Sequence, residues 1–450
     1  MNSFSRETKL LHESLKVLEE GYSHLPKTEE SNDPVNMSRI LRDVAERLHD
    51  NYPYFHPYYL GQMLKPPHHV ARLAYQLALH INPNNHALDG GIASSAMEKE
   101  AVKGIAEMFE ITHYLGHLTS GGTMANLEAL WIANLEHPGK AIAASDQAHY
   151  THQRISGVLG LEFREIPSDS IGRMDIQALD KMLGDGTIGT VVVTLGTTGF
   201  GAIDPLFEVL QLRKHYDFRI HVDAAYGGYF MLDESLDESI RRHFSSIQFT
   251  DSVVIDPHKH GLQPYGCGCV LFSDPLVGRH YQHESPYTYF SSDELHLGEI
   301  SLECSRAGAS AVALYATMQA FPLKPGGELG QRLARSRQAA QRLVSLVHAD
   351  CRFLTAWVPD LDIAVWMPKG AKASEVSQLS QALLQSCATQ EIHLALFQVP
   401  KAMVSIRAPK LEWDIDHVTC LRACLMKPEH LNYLDEIWQR ISAAMDCVSK

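Results

Sequence analysis

The chain has 450 residues, 45% hydrophobic and 20% charged, a balance that suits a large buried core spread over two or three domains and excludes disordered and fibrous classes. Its formal net charge of −14 argues against nucleic-acid binding, which needs a basic surface to displace counterions, and no apolar run approaches membrane-spanning length. The eight cysteines match no zinc or redox spacing and the 25 histidines contain no His-Glu-x-x-His, so reduced thiols and no catalytic metal are expected.

The first residues, Met1-Asn2-Ser3-Phe4-Ser5-Arg6-Glu7, lack the apolar core of a signal peptide, and the expected setting is the cytoplasm. Residues 6–21 and 36–50 read as amphipathic helices, the first with Leu10, Leu11, Leu15 and Leu18 on one face, the second with Ile40, Leu41, Val44 and Leu48. An arm this thin cannot fold alone and is expected to pack on another subunit or on the main domain. The aromatic, proline-interrupted turn His56-Pro57-Tyr58-Tyr59-Leu60-Gly61 follows, where His56 is a candidate substrate contact and packing is the alternative. Helices are expected at Val70 to His80 and at Ser95 to Phe109, the second capped by Ser94 or Ser95 ahead of Glu98.

Short apolar runs then alternate with helical stretches. Strands are expected at 114–119, 140–144, 163–166, 190–195, 219–222 and 252–255, with helices near 123–135, 149–158, 175–183 and 205–215. Such alternation with fully apolar strands predicts an α/β fold with a mostly parallel sheet covered on both faces, and ligands bind beyond the carboxyl ends of its strands. A helical region runs from Arg306 to about His348, broken at Pro322-Leu323-Lys324-Pro325-Gly326-Gly327. A smaller α/β unit follows, with strands near 362–367, 403–408 and 419–425 and helices near 374–386 and 429–446. The expected division is a helical arm over 1–65, a large cofactor-binding domain over 66–321 and a small domain over 322–450.

Four polar features follow strands. Ser120-Gly121-Gly122-Thr123 opens a helix with bare backbone N–H groups, a cup for a phosphate, with a capped tight turn as the alternative. It lacks the endings of nucleoside-triphosphate and dinucleotide loops. Asp223, in His221-Val222-Asp223-Ala224-Ala225, closes an apolar strand without a charged neighbour in sequence, and a protonated heterocyclic nitrogen would satisfy it. The alanines leave room for a flat ring. Lys259, in Asp256-Pro257-His258-Lys259-His260, sits past a strand end where its amine can attack a carbonyl. His149, after the strand at 140–144, can stack on a ring and donate a proton, or simply cap its helix. Together these describe a site for pyridoxal 5′-phosphate, attached to Lys259.

Gly116-His117-Leu118-Thr119-Ser120-Gly121-Gly122-Thr123-Met124-Ala125-Asn126, His149-Tyr150-Thr151, Gly196-Thr197-Thr198-Gly199-Phe200-Gly201-Ala202-Ile203-Asp204-Pro205, the Asp223 stretch and Asp256-Pro257-His258-Lys259 occur in family order. In these motifs the chain resembles the group II pyridoxal-phosphate-dependent amino acid decarboxylases. The resemblance implies a fold-type-I homodimer with shared active sites and an N-terminal arm swapped onto the partner. It implies that Lys259 holds the cofactor, Asp223 pairs with the ring nitrogen, His149 and Ala225 flank the ring, and Thr198 lies on the ring's oxygen side. Gly121, Gly122 and Thr123 would hold the phosphate, helped by His258 and Ser252. Arg422 matches an arginine that approaches the substrate carboxylate, with Arg407 competing, and Tyr287 or Tyr289 matches a loop tyrosine that returns a proton to Cα. For each tyrosine an interface contact is the alternative.

The pattern departs from the family where Arg154 replaces a usual lysine and where His260 stands in place of an aromatic residue. It is closest to the compact tyrosine/aspartate decarboxylase branch. The expected reaction is decarboxylation of an L-amino acid, aromatic substrates ahead of acidic ones. A carbon–carbon lyase of the sphingosine-phosphate lyase type is the other enzyme reading, and a cofactor-binding scaffold without activity is the non-enzyme one.

Overall fold

Seven strands form the central sheet: β1 Leu115–Thr119, β2 Ala141–Ser145, β3 Phe163–Ile166, β4 Ile188–Thr194, β5 Arg219–Asp223, β6 Ser252–Ile255 and β7 Gly268–Phe272. The computed structural model describes residues 3–26, 37–87, 90–282 and 300–448. The strand order is β1-β7-β6-β5-β4-β2-β3, with β7 antiparallel to both its neighbours and every other pairing parallel. Alternate residues point to opposite faces, and both faces are buried. In β4, Val191 and Val193 join the core under one layer of helices with Ile220 and Val222, whereas Val192 packs on the other side with Ile142 and Ala144. The result is a fold-type-I α/β architecture.

Because β7 alone is reversed, the carboxyl ends of β1, β2, β4, β5 and β6 share one edge with the start of β7. All four polar features found in the sequence therefore emerge on one side of the sheet. The end of β1 is pinned from beneath. Glu98, 1% exposed, accepts from the Leu118 N–H at 3.0 Å, from Asn85 Nδ2 at 2.6 Å and from Arg306 Nη1 at 2.8 Å. Breaking such a buried ion pair costs about 3–5 kcal/mol, so the turn after β1 rests on a rigid base.

A second sheet of four antiparallel strands has the order β10-β11-β9-β8, from β8 Phe353–Trp357, β9 Ile363–Pro368, β10 Ala395–Pro400 and β11 His417–Cys424. The helices Glu328–Ala349, Ala373–Thr389 and His430–Val448 cover it. The chain at 58–60 crosses to this sheet, where Leu60 N–H donates to His393 O at 2.8 Å and Leu60 O accepts from Cys424 N–H at 2.7 Å.

Three local expectations are corrected. The strand expected at 403–408 is displaced: β10 ends at Pro400, and Lys401–Val404 turns as a short helix that buries Met403 and Val404. Proline has no N–H for the ladder, so pairing stops there. The helix expected from Ser95 begins at Ile92 after Gly91, and neither serine caps it. Ser94 instead donates to Asn85 Oδ1 at 2.5 Å, and Glu98 is engaged by Arg306 and Leu118. The strands β7 and β8 were not anticipated.

Candidate active site

The turn after β1 is built for close approach. Gly121 has φ +151°, a region that side chains avoid, and a Cβ on Gly268 of β7 would lie 2.6 Å from the Gly121 backbone. A Cβ on Gly122 would lie 2.7 Å from Asp256 Oδ2. The helix Gly122–Glu136 starts here with no side-chain cap, so its first N–H groups are left for a ligand. The Ser120 N–H donates to Glu303 Oε2 at 2.8 Å.

Asp223 ends β5 and is 5% exposed. Its Oδ1 accepts from the Ala225 N–H at 3.1 Å, and its Oδ2 lies 2.8 Å from His152 Nε2. Burial pushes this carboxyl up, but the His152 hydrogen bond and charge, and then Lys259, outweigh burial and hold it well below the usual carboxylate range. Asp223 is therefore an anion at the dry end of a central strand.

His149 follows β2. Its Nδ1 accepts from the Thr151 N–H at 3.3 Å and is hydrogen-bonded to the Thr151 hydroxyl, which leaves the ring's proton to Nε2. Burial, followed by Lys259 and His152, lowers its pKa against the opposing pull of Asp223, so the ring is neutral at pH 7. A neutral imidazole keeps a full π face for stacking on an electron-poor ring.

Lys259 lies four residues beyond β6, in a turn closed by its own N–H donating to Asp256 O at 2.9 Å. Its Nζ lies 3.1 Å from Asp256 Oδ2. His258 donates from Nδ1 to Cys267 O at 2.7 Å and stacks against Tyr265, ring centroids 4.9 Å apart.

These groups meet in one cavity of about 380 Å³, which brings together Gly121, Gly122, Thr123, His149, Thr198, Asp223, Ala225, His258 and Lys259. Four sequence candidates are not brought there. Ser252 begins β6, three residues from the functional edge, and its hydroxyl is hydrogen-bonded to His221 Nδ1 at 2.8 Å. Arg422 is buried on β11, donating from Nε to Gly199 O at 3.2 Å, outside the cavity lining. Its competitor Arg407 lies over the Trp357 ring and lines a separate cavity. His56 packs on Tyr58 and Tyr433, away from this chain's own cavity. Tyr287 and Tyr289 lie outside the described residues. His260, which departs from the family pattern, is wholly buried between Tyr226 and Phe230, with Nε2 3.3 Å from Asp362 Oδ2. Tyr226 does line the cavity and donates to Asp362 Oδ1 at 2.6 Å.

Sequence reasoning missed His152, Thr151, Tyr226 and Tyr265. For Thr151 a signal existed, because a hydroxyl two residues after a histidine can fix its tautomer.

The residues present fit pyridoxal phosphate. An uncapped helix start suits a phosphate dianion, an ionised buried carboxylate suits a protonated ring nitrogen, and the small Ala225 leaves a slot. An amine stands in the same cavity.

Residues 21–363 match the family model described as the pyridoxal-dependent decarboxylase conserved domain. The chain is 27% identical over an alignment of 456 residues to an L-tyrosine decarboxylase of Enterococcus faecium, covering 77% of this chain and 74% of the relative. It is 32% identical over 266 residues to a probable L-tyrosine/L-aspartate decarboxylase of Methanothermobacter thermautotrophicus, covering 58% and 70%. The crystal structure of Oryza sativa TDC with pyridoxal phosphate and tryptamine superposes with a TM-score of 0.79 at 16% identity, covering 99% of this chain and 98% of that one.

Proposed function

The chain belongs to the pyridoxal-dependent decarboxylase family, and from that premise we propose which of its residues carry the reaction and which substrate class it takes. It is a pyridoxal-phosphate-dependent enzyme that decarboxylates an amino acid. When bound, the cofactor supplies the electron sink that accepts the pair left as CO2 departs.

Lys259 Nζ would hold the cofactor through its amine. Asp223, kept anionic in a buried site, would hold a proton on the cofactor's ring nitrogen. The bare N–H groups at Gly121 to Thr123, with His258 beside them, bind the phosphate and fix the ring's position. His149 and Ala225, which line the same cavity, would flank the ring, and Thr198 would stand on its oxygen side. His149 carries its proton on Nε2 and is one candidate to return a proton to Cα, with Tyr287 and Tyr289 the others. The single observation that supports this reading best is the convergence of carboxylate, amine and uncapped helix start on one cavity.

An aromatic, tyrosine-like substrate is favoured over an acidic one. The Enterococcus faecium relative, matched over 77% of this chain, is an L-tyrosine decarboxylase, which supports the aromatic reading. Incubation with each common L-amino acid, followed by detection of amine and CO2, tests both levels. Tyramine as the main product is expected. β-Alanine instead would overturn the aromatic preference, and keto acid without amine would overturn the assigned roles.

The active unit is a homodimer with shared sites. The helix Met37–Arg47 buries nothing within its own chain and leaves Leu41 66% and Val44 45% exposed, a face that a second copy would cover. Sedimentation at twice the chain mass is expected, and monomeric sedimentation of active enzyme would refute it. Among the described residues no helix is long and apolar enough to cross a membrane, and all eight cysteines are unpaired, in keeping with action in the reducing cytoplasm.

A further inference from the structure

We propose that His152 is a positioning residue for the cofactor's ring nitrogen, acting wholly through Asp223. The inference rests on the reading of Asp223 as that nitrogen's partner. His152 sits in the first turn of the helix Thr151–Val158, on the layer that covers the functional edge, and its side chain is fully buried. Its Nε2 lies 2.8 Å from Asp223 Oδ2. Its Nδ1 is sealed from solvent and has no partner among the described residues, so the proton that His152 offers is the one on Nε2.

The surroundings leave this bond no substitute. The nearest ring on β5 is His221, centroids 6.3 Å apart, and both its nitrogens are engaged, with Ser252 and with Asn126 Oδ1. Burial pushes His221 down to about 3, so it contributes no charge. His149 is neutral for the same reason, and Lys259 acts on Asp223 through its charge, its Nζ standing 3.1 Å from Asp256 Oδ2. Without His152, Asp223 would keep one backbone N–H, from Ala225, in a dry site. A buried carboxylate so poorly solvated takes up a proton and becomes neutral. A neutral acid cannot hold a proton on the ring nitrogen, so the hydrogen bond from His152 preserves both the charge and the direction of Asp223.

The test compares two ligands that differ only at the ring nitrogen: pyridoxal 5′-phosphate and its 1-deaza analogue, in which a C–H replaces that nitrogen. Dissociation constants are measured on the full-length protein after removal of its cofactor. His152→Phe should weaken binding of pyridoxal phosphate roughly ten- to a hundredfold, the size of one hydrogen bond to a charged group, and leave binding of the analogue unchanged. His152→Gln, whose amide N–H reaches the place of Nε2–H, should recover most of the loss, and the shorter His152→Asn should not. Equal losses for both ligands would mean a packing defect and overturn the proposal, as would failure of glutamine to rescue. If the phenylalanine variant does not fold, the asparagine and glutamine pair decides alone. Asp223→Asn run beside them separates the two readings. If it leaves the ratio of the two affinities unaltered, the Asp223 role falls; if it changes the ratio and the His152 variants do not, only the His152 role falls.

Discussion

Lys259→Ala should abolish the visible absorbance of the purified protein and cut amine production by more than roughly 10⁴-fold, since acid–base work alone is worth up to about that factor and the attachment is lost with it. The geometry makes Lys259 hard to replace. It lies beyond the end of β6, in a turn whose own backbone bond to Asp256 sets its direction, with Nζ 3.1 Å from Asp256 Oδ2. Neighbouring amines cannot substitute, because no other lysine lines the cavity among the described residues. Reduction with borohydride followed by mass analysis of tryptic peptides locates the attachment directly. An adduct on any other lysine, or an alanine variant that keeps its absorbance, would refute the assignment.

Asp223→Asn is expected to keep the absorbance and lower kcat by about 10²–10³-fold, the cost of removing one preorganised charge from a dry site. The substitution preserves shape: an asparagine oxygen can still accept from His152 Nε2, and β5 remains paired on both sides. What disappears is the negative charge that favours a proton on the ring nitrogen. Because Lys259 is untouched, the spectrum and the rate should part company. An unaltered rate would remove Asp223 from its role.

How legible this was differs by element. The strands β2, β4 and β6 announce themselves because both faces are buried and their residues are apolar almost without interruption, as in Thr190-Val191-Val192-Val193. β7 opens on Gly268-Cys269 and leaves only Val270-Leu271-Phe272 as an apolar run, too short to announce a strand. β10 was misplaced because Met403 and Val404 are apolar and buried as strand residues would be, yet bury themselves from a helix. At the site, Ser120 to Thr123, His149, Asp223 and Lys259 could be brought together from their order after strands, since strand ends in a parallel sheet converge. His152 was not, because nothing local reveals that a helix turn 71 residues before Asp223 faces it. Ser252 and Arg422 show the reverse case: motif position suggested a reach, and within this chain Ser252 is turned to His221 and Arg422 to Gly199.

The bond from Tyr226 to Asp362 has a practical bearing on redesign. Tyr226 forms part of the cavity wall, whereas Asp362 immediately precedes β9 of the second sheet and is also approached by His260. A library that varies Tyr226 to admit a new side chain would strand a carboxylate in the interior, and its members would be screened for survival before they were screened for selectivity. Varying positions 226 and 362 together, as one coupled unit, lets the wall change without that confusion.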